Sequence, residues 1–388
     1  MIEDIKKDIE RLTPKLIEWR RDFHRFPEVA FREKRTAKVL KDFLEGLGLP
    51  VRSMAKTGLR ADLQGQRGGK TVALRTDIDA LPLQEENDSD YKSENPGVMH
   101  ACGHDGHMAI ILGVAKILVE KKDRFKGNVT FLFQPSEELP PGGAKPMVEE
   151  GALEGVDAVF GLHLWQNLPT GKIGVVKGPM MAAADNFSMT VSGKAGHGSM
   201  PHQTVDPILV ASQIVCNVQS IVSRNVDPLK PAVVSFGVIK GGTINNIIPE
   251  EVLLKGTVRS FDPEIQELAE RRLYRIVEDT CRAFGAEGEF VYERGYPVLV
   301  NHAADVDFLL EVVKETLGEN RIVDFDPIMG GEDFAYYLQK VPGAFFFFGS
   351  GNGRDYPHHH PKFDIDERAL PEAALLMANL ALQYLEKM

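Results

Sequence analysis

Asn128-Val-Thr-Phe-Leu-Phe-Gln134 is a compact apolar run bounded by turn residues, and the elements around it decide the fold. Similar runs stand before it, at Thr71-Val-Ala-Leu-Arg75, and after it, within residues 157–162. A helical stretch from about Asp105 to Lys121 separates the first two. Two amphipathic helices precede them, Ile5 to His24 and Lys34 to Leu47, the second stopping at Gly46 and Gly48, where glycine favours a helix end. Strands alternating with helices predict an α/β fold: a mostly parallel sheet with helices on both faces.

From residue 185 the pattern changes. Phe187 to Ser192 reads as a strand, Val205 to Val222 as a helix with Pro207 near its first turn, and Ala232 to Ile239 and Glu251 to Ser260 as strands. Pro263 to Phe284 is a second helix and Glu289 to Glu293 a last strand. The order β-α-β-β-α-β is the ferredoxin-like α+β pattern. We expect an inserted domain over 185–294 and a discontinuous domain over 1–184 and 295–388. The last stretch returns to helix (Ala304 to Leu317), strand (Ala344 to Phe348) and helix (Pro371 to Leu385).

Composition narrows the function. The formal net charge of −11 over 388 residues disfavours nucleic-acid and anionic-membrane binding, which call for a basic face. Three cysteines, Cys102, Cys216 and Cys281, are too few and too scattered for a disulfide framework; a reducing, cytoplasmic setting is expected. The first 20 residues are charged and lack the apolar core of a signal peptide. Apolar runs such as Ala344 to Phe348 are far too short to cross a membrane.

The chemistry gathers in His100-Ala-Cys-Gly-His-Asp-Gly-His107, three histidines, a thiol and a carboxylate in eight residues. Cysteine and histidine together suit a transition metal. In parallel sheets ligands bind beyond the carboxyl ends of strands, and three such ends carry candidates: Asp77, the pair Glu137-Glu138, and His163. An acidic pair alone is usually a solvated loop, and a lone histidine is usually structural; the joint pattern is harder to dismiss. Adjacent carboxylates suit hydrolysis, one binding a cation while the other takes a proton from water. Asp77 fits a supporting role, and the run His358-His-His360 before Pro361 offers a further ligand.

Five motifs carry a resemblance: His100 to His107, Phe133-Gln-Pro-Ser-Glu-Glu138, Gly161-Leu-His163, Gly193-Lys-Ala-Gly-His197 and Met329-Gly-Gly-Glu-Asp-Phe334. Together they resemble the amidohydrolase branch of the aminoacylase and carboxypeptidase metallopeptidases. That branch includes N-acyl-amino-acid amidohydrolases, hippurate hydrolases and indoleacetyl-amino-acid hydrolases. The resemblance implies two divalent metal ions per subunit (Zn, Mn, Ni or Co), held by Cys102, His104, Glu138, His163 and His359, with Cys102 bridging. His359 is selected because it lies two residues before Pro361. Glu137 resembles the general base, Asp77 keeps a supporting role, and His100 and His107 become structural. Arg75 stands where the wider family has a histidine ligand and cannot bind a metal.

In the inserted domain, the resemblance gives His197 an oxyanion-stabilising role and makes Asn246 and Arg259 substrate-binding residues, Arg259 toward a carboxylate. It also implies a homodimer formed through this domain. The expected function is hydrolysis of N-acyl-L-amino acids. A carboxypeptidase or dipeptidase on the same site is the alternative, and a non-catalytic metal- or amino-acid-binding protein is disfavoured because Glu137 is present alongside the ligands.

Overall fold

The computed structural model describes residues 2–353 and 356–387, which form two compact units. The first comprises the chain up to Met180, Val300–Asp326 and Asp333 onward; the second comprises Met181–Leu299 and Pro327–Glu332.

The first unit is built on an eight-stranded sheet. Its order is Val51–Met54, Gly58–Gln64, Lys126–Gln134, Gln66–Asp77, Ala158–Pro169, Gly343–Gly351, Ile173–Gly174 and Ile322–Val323. The four central strands, Lys126–Gln134 through Gly343–Gly351, run parallel. The first two strands add an antiparallel hairpin at one edge, a region to which the sequence reading assigned no element. Lys126–Gln134 is buried along nearly all its length, as a strand covered on both faces must be.

Helix His104–Glu120 is buried over 14 of its 17 residues, and helix Ala369–Lys387 is buried from Ala369, Leu370 and Ala373 through Leu385. Helices apolar all round belong inside a core. Both pack on strand Gln66–Asp77 and on helix Ile2–Arg25. The apolar cluster beneath includes Leu74, Ile110, Phe131, Phe346 and Met377. No helix of the described residues is long and apolar enough to cross a membrane.

The second unit has a four-stranded antiparallel sheet ordered Ala232–Gly241, Glu251–Ser260, Ala183–Ser192, Glu287–Tyr296. Helices Pro207–Ser220 and Pro263–Phe284 pack on each other and on strand Glu251–Ser260. Each helix starts with proline at its first position behind an aspartate cap: Asp206 accepts from Ile208 N at 2.9 Å and Asp262 from Glu264 N at 2.9 Å. Proline at N1 and a side-chain acceptor before it satisfy the free helix-start amides. Val252, Leu254 and Val258 face the helices, leaving Lys255, Thr257 and Arg259 on the opposite face.

Candidate metal centre

Parallel pairing brings strand ends to one edge. Asp77 stands opposite Gln134 in the register, so the turns after both strands leave the sheet side by side. His163 is different: strand Ala158–Pro169 continues six residues past it, and it pairs with Phe347 inside the sheet. Helix His104–Glu120 opens at the same place, behind Gly103 at φ +89°, a conformation that glycine adopts without penalty.

These elements assemble two overlapping sets of donors. The ligand atoms of Cys102, His104 and His163 lie within 4.8 Å of one another, as do those of Cys102, Glu138 and His359. Cys102 belongs to both. His163 Nε2 is 3.3 Å from Cys102 Sγ, and His359 Nε2 is 3.2 Å from Glu138 Oε1. Glu137 forms a further group with His104 and Glu138 on the same distance criterion. Cys102, His104, Glu137 and His163 are buried, while the His359 side chain is half exposed.

Hydrogen bonds orient the rings. His104 donates from Nδ1 to the Asp79 carbonyl at 2.9 Å, leaving Nε2 buried with no hydrogen bond among the described residues. His163 donates from Nδ1 to the Leu164 carbonyl at 2.8 Å. A histidine held this way through one nitrogen presents the other to a cation. His107, His358 and His360 are engaged elsewhere. His107 bonds Asp77 Oδ1 through Nδ1 at 2.6 Å and accepts from Leu164 N through Nε2. His358 donates to the Leu164 carbonyl and stacks on Trp165 at 4.5 Å, and His360 Nδ1 accepts from Lys362 N. His100 is fully buried, and burial holds its imidazole neutral, at about 3.

Asp79, to which the sequence reading gave no role, holds the acidic pair. The Asp79 carboxylate accepts from the backbone N–H groups of both Glu137 and Glu138, each at 3.0 Å. Arg75, no ligand, bonds Asp77 Oδ2, Gln134 Oε1 and Asp333 Oδ1 at 2.8, 2.8 and 3.1 Å. It thereby joins both strand ends to Asp333. Gly143 completes the turn after Glu138; a Cβ there would sit 1.8 Å from the Pro135 carbonyl. Side-chain bonds to distant backbone amides leave no periodic trace in a sequence, so Asp79 could be found only from its spacing two residues after Asp77.

The charges fit a cation. Burial opposes protonation of His104, yet Asp77, Asp79 and Glu138 overrule it and raise the ring to about 10. Burial and then Glu138, Glu137 and Asp77 push the Cys102 thiol far up, and the bond to Glu138 raises His359. Without a cation the pocket gathers protons; a divalent ion compensates the same carboxylates directly.

In the second unit His197 and Asn246 come together. His197 pairs with Ile247 across a short antiparallel bridge, and Gly198 N donates to the Asn246 carbonyl at 2.8 Å. Arg259 is partly buried on the open sheet face and has no side-chain hydrogen bond or ion pair among the described residues; burial pulls its guanidinium below the usual value while Asp185 opposes this.

Comparison with known proteins establishes the family. The model of peptidase family M20/M25/M40 matches residues 73–383. The N-acyl-L-amino acid amidohydrolase of Geobacillus stearothermophilus is 48% identical over 77% of this chain and 81% of its own. Thermostable carboxypeptidase 2 of Saccharolobus solfataricus is 41% identical over the full length of both. The crystal structure of the Bacillus subtilis YXEP protein, a dinuclear metal-binding peptidase of the M20 family, superposes with a TM-score of 0.83 at 36% identity, covering 98% of this chain and 100% of that one. The chain belongs to peptidase family M20/M25/M40 and is an enzyme of the metallo-amidohydrolase and peptidase class.

Proposed function

We propose that this member of the M20 family hydrolyses the amide bond of N-acyl-L-amino acids, with two divalent ions on Cys102, His104, Glu138, His163 and His359. The observation that carries the reading is the pair of donor sets sharing Cys102, with Glu137 alongside. A thiolate can bridge two ions, and five donors so divided leave open positions for water and substrate. Divalent cations held there lower the pKa of water and polarise a carbonyl oxygen.

The protein's own groups supply the rest. Glu137, its backbone fixed by Asp79, takes the proton of the attacking water and returns it to the leaving amine. His197 stabilises the oxyanion, Asn246 binds the substrate, and Arg259 takes the carboxylate of the amino-acid half. An unpaired, desolvated guanidinium is suited to that anion. The exposed Val238 and Ile239 on edge strand Ala232–Gly241 support a homodimer through the second unit, and three free cysteines suit the cytoplasm.

The full-length likeness to a carboxypeptidase favours one competing reading, cleavage of a peptide's last residue. A panel of acetyl-, benzoyl- and indoleacetyl-amino acids against dipeptides and longer peptides, run with metal analysis, separates the two. Glu137→Ala in the same assay should retain metal and fold and lose about 100-fold or more in turnover. Near-normal turnover would remove Glu137 as the base.

A further inference from the structure

We propose that Glu33 is the positioning residue that sets the turn presenting Glu137 and Glu138, acting through the backbone of Ser136. The inference rests on the reading of Glu137 as the base and Glu138 as a ligand.

Glu33 lies at the start of helix Lys34–Gly46 and is completely buried. Its Oε1 accepts from Ser136 N at 3.0 Å and Phe31 N at 2.9 Å, and its Oε2 accepts from Thr57 Oγ1 at 2.6 Å. Ser136 N–H, Glu137 N–H and Glu138 N–H are thus taken in succession by two buried carboxylates, Glu33 and then Asp79. Three consecutive amides pointing inward form an anion-binding concavity, here filled by the protein's own acids.

The backbone around Glu33 is unusual. Among the described residues, the non-glycine positions with positive φ are Phe31, Ala55, Lys56, Ser136 and His359. Four of these five lie on the three segments that converge on Glu33: Phe31 and Ser136 donate to it directly, and Ala55-Lys56 leads into Thr57. Side-chain-bearing residues persist in this conformation only where their surroundings over-determine them, and such residues cluster at functional sites. Ser136 at φ +52° immediately precedes the acidic pair. Its conformation decides where the chain points as it reaches Glu137. The acceptor that holds it there is Glu33.

What matters in this role is an acceptor at the right reach, not a charge. Glutamine keeps an oxygen where Oε1 stands, and its amide can donate to Thr57 Oγ1. Aspartate keeps the charge but is one methylene short. We expect Glu33→Gln to retain kcat within about threefold, and Glu33→Asp and Glu33→Ala each to lose about tenfold or more, with KM little changed, since a misplacement near 1 Å can cost that much. Zinc content by atomic emission should stay at the parent's level in all three. The Glu33→Ala loss should shrink in a Ser136→Gly background, because glycine adopts the left-handed region unaided. If Glu33→Ala does not fold, the order of Gln and Asp decides. Asp matching or exceeding Gln overturns the proposal, as does a folded, metal-loaded Glu33→Ala with normal kcat. Glu137→Ala run alongside keeps the cases apart: if it stays active, the assignment of the base has failed; if it is inactive while Glu33→Ala is normal, only the role of Glu33 has failed.

Discussion

His104 donates its Nδ1 proton to the main-chain carbonyl of Asp79 at 2.9 Å, while the carboxylate of the same aspartate holds the backbone of Glu137 and Glu138. One residue therefore sets both a metal-facing ring and the acidic pair. Removing its carboxylate leaves two buried N–H groups unpaired, at about 1–3 kcal/mol each. Asp79→Ala should lower the melting temperature and cut turnover about 100-fold at saturating metal. Asp79→Asn, which keeps one acceptor, should fall between this variant and the parent. Thermal melts with steady-state kinetics check both, and an unchanged kcat in Asp79→Ala would refute the positioning.

Metal uptake should release protons. Carboxylates raise His104 to about 10 and the buried Cys102 thiol lies well above its ordinary value, so both are protonated in the metal-free protein at neutral pH. Each proton displaced steepens the dependence by about tenfold in affinity per pH unit. Zinc affinity should therefore climb by roughly a hundredfold per unit between pH 6 and 8. Competition titrations against a chelator measure the slope; a flat profile contradicts a thiolate ligand. Cys102→Ala should bind fewer than two ions.

Arg259→Ala tests the carboxylate contact. A charge-assisted hydrogen bond is worth about 1.5–3 kcal/mol, so KM for N-acyl-amino acids should rise by roughly ten- to a hundredfold. The corresponding amides and methyl esters should be nearly unaffected. Equal effects on acids and amides would remove the assigned role.

Glu33 should also leave a mark on stability. Burial pushes its carboxyl up from 4.5 to about 7. Because the folded value is the higher one, folding favours the protonated acid, and its contribution is complete below pH 4.5 and lost as pH rises to about 7. The change amounts to about 3 kcal/mol. Glu33→Gln cannot titrate, so its stability relative to the parent should improve on going from pH 5 to pH 8. Denaturant melts at the two pH values test this, and a constant difference would show that the carboxyl titrates normally.

The candidate donors were legible because they are chemically rare: Cys102 and His104 stand out in the His100–His107 cluster, Glu138 in the acidic pair after a strand, and His359 in the histidine run before Pro361, while the choice of individual ligands came from the resemblance. His163, expected at a strand end, lies within its strand. Hairpin Val51–Gln64 was missed because Arg52, Arg60 and Asp62 interrupt its apolar pattern, and what satisfies them includes partners across the fold, as the carbonyls of Gly151, Ala152 and Glu154 do for Arg60. Glu33 and Asp79 stayed hidden for a related reason. Each acts on backbone amides more than 50 residues away, and a main-chain partner has no signature of its own. That Pro327–Glu332 joins the second unit is likewise a matter of long-range pairing, through the bridge of Met181 to Ile328.

Strand Ala158–Pro169 pairs in parallel with Gly343–Gly351, and the loop beyond that partner carries His359. On the ribosome, four candidate ligands emerge early and the fifth arrives only after the whole second unit has been made. Until then the apolar strand bearing His163 can pair with Gln66–Asp77 but lacks its second neighbour, leaving an open edge of the kind that nascent-chain chaperones are built to shield. On the reading proposed above, His359 can therefore complete the candidate ligand set only after the second unit has been made.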